Sequence, residues 1–165
     1  METLVTSARL RERVSYDPNT GVFARLTIAR GGAQPGSVFG TLNGRGYLIG
    51  MIDYRIYLLH RLAWFWVHGE WPPTIDHING TKTDNRIVNL RAATMAENNR
   101  NVGLKVNNSS GLKGVSWDSV NNRWRAGIKA NGKTFNLGLF AIAEDAHEAY
   151  VAAAVKYHGA FARAK

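Results

Sequence analysis

The chain has no cysteine, only four prolines among 165 residues, and 12 acidic side chains against 21 basic ones. Without cysteine there is neither a disulfide framework nor a thiolate zinc site to staple a small domain, so stability must come from packing. No apolar run approaches the roughly 18 residues of a membrane span, and no charged-then-apolar leader is visible, which leads us to expect an intracellular protein. The shortage of acidic groups leaves a net charge of +9. An excess of that size favours a polyanionic partner over an acidic small molecule. What remains is ordinary: with 45% hydrophobic residues the chain can bury one core or two small ones.

The passage from about Val102 to Gly111 is small and polar, with neither a period of 2 nor of 3.6. We read a linker over 105–110 between an N-terminal part, 1–104, and a C-terminal part, 111–165. Both parts are basic, with +5 over residues 1–108 and +4 over 109–165. In the first, YDPNTGVFARLT suggests a turn feeding a strand, and GYLIGMIDYRIYLL suggests a hairpin with Asp53-Tyr54 at its tip. LLHRLAWFWVHGEWPP places Leu59, Leu62, Ala63 and Trp66 at helical spacing, with Gly69 as a left-handed stop.

The stretch IDHINGTKTDNRIVNL at 75–90 sets an acid beside a histidine at the mouth of an asparagine-rich loop. TIDHI is expected to be a strand and NLRAA its return, followed by a helix at MAENNRN with a Thr94/Glu97 capping box. Asp76 and His77 then close the first strand, and Asn98 stands on the helix. A carboxylate and an amide carbonyl are hard oxygen ligands suited to Mg²⁺ or Mn²⁺, and a neutral imidazole beside them can deprotonate an attacking water. Phosphodiester hydrolysis is the chemistry this set fits. Adjacent strand residues face opposite sides, so the strand should end or bulge at the Asp-His pair. His60 is expected to be a hydrogen-bonded structural residue, and His68, His147 and His158 to be solvated. Trp64, Trp66 and Trp71 are expected in a core.

With DHING at 76–80, DNRIVNL at 84–90 and ENN at 97–99, the segment from His60 to Asn101 resembles the HNH homing endonucleases. That likeness implies a ββα-metal (His-Me finger) core at about 58–101. It makes His77 the general base and Asn89 the brace of the loop carrying it. Asp76 and Asn98 become the ligands of one divalent metal, with Asn98 standing where the third family letter is often His.

In the C-terminal part, NRWRAGIKANGKTFNLGLF carries an Asn-Gly turn at 131–132 between strand-like runs, a hairpin signal. Alternation puts Arg123, Arg125, Gly127 and Lys129 on one face and Trp124, Ala126 and Ile128 on the other. An Ala-rich helix from about Ala143, stopped by Gly159, can cover the apolar face and leave the basic one exposed. GLKGVSW, WRAGI, NLGLF, AEDAHEAY and KYHG resemble, in order, the APETALA and ethylene-response-factor DNA-binding domain, a three-stranded antiparallel sheet packed on one helix. The resemblance makes Lys113, Ser116, Arg123, Lys129, Thr134 and Asn136 DNA-facing, and strand alternation adds Arg125.

The expectation is therefore an α+β protein acting as a site-directed, metal-dependent DNA endonuclease of phage or mobile-element type. Its partner would be double-stranded DNA, and it would work as a monomer that nicks or a homodimer that cuts both strands. A non-catalytic DNA-binding regulator on the same scaffold is the alternative. An RNA-directed nuclease is less favoured, because a sheet that enters a B-form major groove has no equivalent access in A-form RNA. The basic side chains of the first 58 residues, Arg9, Arg11, Arg13 and Arg25 among them, are candidates for flanking contacts.

Overall fold

The computed structural model describes residues 4–29, 31–104 and 108–163. It is a mixed α+β structure of helices and small antiparallel sheets, and it divides between Thr94 and Met95 into two compact units. Among the described residues no helix is long and apolar enough to cross a membrane.

In the first unit, helix α1 (Ser7–Arg13), which the sequence reading missed, is N-capped by Thr6, whose hydroxyl accepts from Arg9 N. Strands β1 (Val14–Tyr16) and β2 (Phe23–Arg25) pair across the DPNTG turn. That turn is knitted by the Asp17 carboxylate, which accepts from Asn19 N and Thr20 Oγ1. Strands β3 (Thr41–Leu42), β4 (Leu48–Ile52) and β5 (Arg55–Leu58) form a second sheet. The tip expected at Asp53-Tyr54 is there, both residues at positive φ as a two-residue hairpin of matching twist demands.

Helix α2 (Leu59–His68) follows at once and ends at Gly69, φ 74. Its Leu59, Leu62, Ala63 and Phe65 are buried in a core with Leu10, Val14, Phe23, Phe39 and Ile52. The tryptophans pack against that core as expected, Trp71 lying stacked on Phe65 at 4.5 Å. On this support sits a two-stranded sheet, β6 (Ile75–His77) and β7 (Leu90–Ala92), pairing Asp76 with Arg91 and His77 with Leu90.

The second unit opens with α3 (Met95–Arg100) and continues through β8 (Val115–Asp118), β9 (Arg123–Ala130) and β10 (Lys133–Phe140) in one antiparallel sheet, order β10-β9-β8. Helix α4 (Ala143–His158) covers one face, burying Ala146, Tyr150, Ala153 and Ala154 against Val115, Ala126 and Ile128. Its alanines allow a close approach, closest at Gly114, where a Cβ would fall 1.9 Å from the Tyr150 ring. The Asn131-Gly132 turn joins β9 to β10, and a bulge between Asn136 and Gly138 bends β10.

Two sequence expectations change here. Residues 95–104, assigned to the N-terminal part, group with the C-terminal unit. The Lys113 ammonium donates to the last carbonyls around α3, Arg100 O and Val102 O, and Arg163 donates to Asn101 O. The linker at 105–110 lies outside the described residues at 105–107. From Asn108 on it is an ordered turn, with the Ser110 hydroxyl bonded to the carbonyls of Leu112 and Val115.

Candidate active site and nucleic-acid interface

Strand β6 ends at the Asp-His pair, as expected. The Gly80 amide turns back to His77 O, and Ile78 N crosses to Asn89 O. Its period of 2 still sends the two side chains to different neighbours. Asp76 Oδ2 is gripped by Arg91 through Nε at 2.8 Å and Nη2 at 2.5 Å. His77 lies against two rings, His60 at 5.0 Å edge to face and Tyr47 at 6.0 Å. Its Nε2 is 3.3 Å from Asn85 Oδ1, a carbonyl oxygen that accepts from the Nε2–H tautomer of the ring.

The loop from Ile78 to Asn89 is held by its own polar side chains. Asn89 spans it from inside, its Oδ1 accepting from Asn79 N at 3.0 Å and its Nδ2 donating to Asp84 O at 2.8 Å. Asp84 accepts from Asn79 Nδ2 and from the Arg86 guanidinium, which, chiefly through that hydrogen bond, holds its carboxyl down at about 2. Asp76, His77, Asn85 and Asn89 are all buried, between 1% and 6% exposed, so this polar region is assembled like a core.

Burial, opposed by the bond to Asn85 and by the charge of Asp76, lowers the His77 pKa and favours the neutral imidazole a general base needs. His60 departs from the hydrogen-bonded structural residue expected of it. It is buried, its Nδ1 has no partner among the described residues, and burial first and His77 second bring it down to about 3. Neither His60 nor Asn85 had been singled out as part of the site. Nothing in their local sequence distinguishes either from other loop asparagines or helical histidines. Asn98, the remaining residue of the expected set, is half-buried on α3 in the second unit.

The profile of HNH endonucleases matches residues 57–100, and that of the AP2 domain matches residues 110–160. Protein 3.8 of Escherichia phage T7 is 36% identical over 85 residues, covering 50% of this chain and 70% of that protein. The chain belongs to the HNH endonuclease family. No solved structure matches it. Its HNH segment runs from the end of β5 through α2, the β6–β7 loop and α3, and an AP2 DNA-binding domain follows.

On the AP2 sheet, Ser116, Arg123, Arg125, Lys129, Thr134 and Asn136 all lie on the exposed face, with Thr134 opposite Lys129 and Asn136 opposite Gly127. Arg125 pairs with the buried Asp118, which orients its guanidinium, and Leu139 adds an apolar contact next to it. Lys113 lies just before β8. Its half-buried ammonium serves the carbonyls of Arg100 and Val102, and burial lowers its pKa. The histidines expected to be solvated are pins between elements, His147 donating to Lys113 O and a buried His158 to Lys129 O, while His68 lies against Trp64 at 4.1 Å. In the first unit Arg9 is clamped by Asp53 and Glu12, and Arg11 donates to Trp66 O. Arg13 and Arg25 line, with Arg9, an open cleft of about 480 Å³ beside Tyr54.

Proposed function

We propose that this HNH family member is a site-directed DNA endonuclease in which His77 is the general base, on a core of ββα-metal type with a functional boundary at about residue 104. The observation that carries the reading is a buried imidazole on a braced loop beside a carboxylate, in a chain that also presents an exposed cationic sheet. Asp76 and Asn98 would hold a divalent ion of the Mg²⁺ or Mn²⁺ type. The donor chemistry fits. Both are hard oxygen donors, and an ion of this kind leaves further positions to water and DNA phosphate. When bound, such an ion supplies charge stabilisation at the phosphate and the leaving oxygen.

The chain's own groups do the rest. His77, with Nε2–H donated to Asn85, takes the proton of the attacking water on Nδ1. Arg91 holds and aims the buried Asp76 carboxylate through their ion pair. Asn89 keeps the loop, and therefore the imidazole, in place. Arg123, Arg125, Lys129, Ser116, Thr134 and Asn136 hold duplex DNA by the sheet face, with Arg13 and Arg25 available to flanking phosphates. The likeness to a phage protein supports a mobile-element or homing role in a bacterial host.

The alternative of a DNA-binding regulator draws on one observation, the burial of both Asp76 and His77. Purified protein on supercoiled plasmid and on a randomised duplex library, with Mg²⁺, Mn²⁺ or EDTA and with His77→Ala alongside, separates the two. Metal-dependent nicking or linearisation lost in His77→Ala is the expected result. Binding without cleavage on both substrates would leave the regulator.

A further inference from the structure

The side chain of Asn85 is 1% exposed, yet its amide is only half satisfied: Oδ1 meets His77 Nε2–H, while Nδ2 meets no partner among the described residues. A buried amide with an orphaned N–H lowers stability, and a residue kept only for packing would be better replaced by leucine of similar volume. What the amide does accomplish is to face the imidazole.

The chain from Asn85 to Ile87 is held at three points by the β1–β2 hairpin, whose role the sequence left open. Tyr16 Oη donates to Asn85 O at 2.7 Å, and Ile87 N, two residues on, donates to Pro18 O at 3.1 Å. Gly21, φ +73, presses so close that a Cβ there would lie 2.6 Å from the Asn85 carbonyl carbon and 2.5 Å from Arg86 N. Tyr16 in turn is fixed by Phe23 at 4.6 Å and by the edge of Trp66 at 6.3 Å. A continuous rigid path therefore runs from the core under α2, through the hairpin, to one nitrogen of the His77 ring.

We propose that Asn85 is a positioning residue that fixes the ring of His77 with its proton on Nε2, and that the β1–β2 hairpin is an integral part of the nuclease site because it fixes Asn85. The inference rests on the reading of His77 as general base. Asn89 secures the loop as a whole. Asn85 secures the ring within it, and an imidazole free to turn about χ2 would present the wrong nitrogen to the water for part of the time.

The test uses the full-length protein. In the metal-free wild type at about pH 8, long-range ¹H–¹⁵N spectra of the His77 ring should show Nε2 protonated and Nδ1 bare. In Asn85→Leu the two tautomers should mix, and in Asn85→Asp, which keeps an oxygen acceptor, Nε2 should stay protonated. In single-turnover cleavage, Asn85→Leu should lose about 10- to 100-fold in rate with DNA affinity unchanged, the size expected when an orienting partner is removed, with part of it restored in Asn85→Asp.

A bare Nε2 in the wild type, or Asn85→Leu cutting at the wild-type rate, overturns the assignment. Should Asn85→Leu not fold, the wild-type spectrum decides for Asn85. Tyr16→Phe decides for the hairpin: an unchanged cleavage rate and ring spectrum would remove it from the site. If the wild type cuts no DNA, the nuclease reading fails, and the ring spectra still judge the role of Asn85.

Discussion

The β6–β7 loop and the exposed face of the AP2 sheet are both rich in polar residues, and they use them in opposite ways. Around His77 the polar groups are buried and engage one another, with Arg91 on Asp76, Asn85 on His77, and Asn89 across the loop. On the sheet, Arg123, Lys129 and Thr134 stand in solvent above an apolar layer of Ala126, Ile128 and Tyr150, while Arg125 pairs with Asp118. A group that must meet a reacting atom at one angle needs a low-dielectric setting and fixed neighbours. A group that must follow a phosphate chain works through charge and reach, and a solvated side chain serves. The division of labour is visible in burial before any ligand is considered.

The largest effect that would sharpen this contrast is in cleavage. His77→Ala should lower the cleavage rate by about 10²- to 10⁴-fold while leaving DNA affinity intact, measured by plasmid conversion beside fluorescence anisotropy. A parallel fall in affinity would mean that the loop is a DNA-holding element and break the contrast.

Next is stability. Asn89→Ala orphans the Asn79 amide and the Asp84 carbonyl and should destabilise the first unit by about 3 kcal/mol in urea unfolding. A change below about 0.5 kcal/mol, the range of surface substitutions, would show that the loop is not built like a core.

Acid should attack the same unit. His60 titrates near 6.5 when unfolded and is brought down to about 3 in the fold by burial and then by His77, so the unfolded state binds more protons between those values. Its contribution is fully present above pH 6.5 and is lost as pH falls towards 3, on the order of 3 kcal/mol by pH 4. Urea unfolding from pH 7 to pH 4 should show that loss in wild type and a smaller one in His60→Phe.

The smallest effects belong to the sheet. Arg123→Ala or Lys129→Ala should leave stability within about 0.5 kcal/mol but reduce the dependence of log affinity on log salt by about one unit per lost phosphate contact. Lys113→Met should leave that slope unchanged, since its ammonium is bonded to Arg100 O and Val102 O.

Much of this was legible beforehand where local rules decide it. The Asp53-Tyr54 and Asn131-Gly132 turns, the stops at Gly69 and Gly159, and the alternation along β9 follow from backbone sterics and period alone. Helix α1 was not legible, because its apolar side is a single buried leucine, Leu10, too little to make a period. The bonding of the Lys113 ammonium to Arg100 O and Val102 O was not legible for a related reason. Strand alternation and family order say which way a residue points, and they do not say whether a carbonyl at a neighbouring helix end lies within its reach.

The sequence by itself determined the two modules, their shared positive charge, and the acid-histidine pair at the end of a strand, because each is written in neighbouring residues. Only the tertiary structure decided which asparagine faces His77, that His60 lies against it, and that a hairpin some 65 residues upstream holds Asn85 from behind. Those choices are made by contacts between segments far apart in the chain, and among several chemically identical asparagines only the packing of the core beneath them selects one.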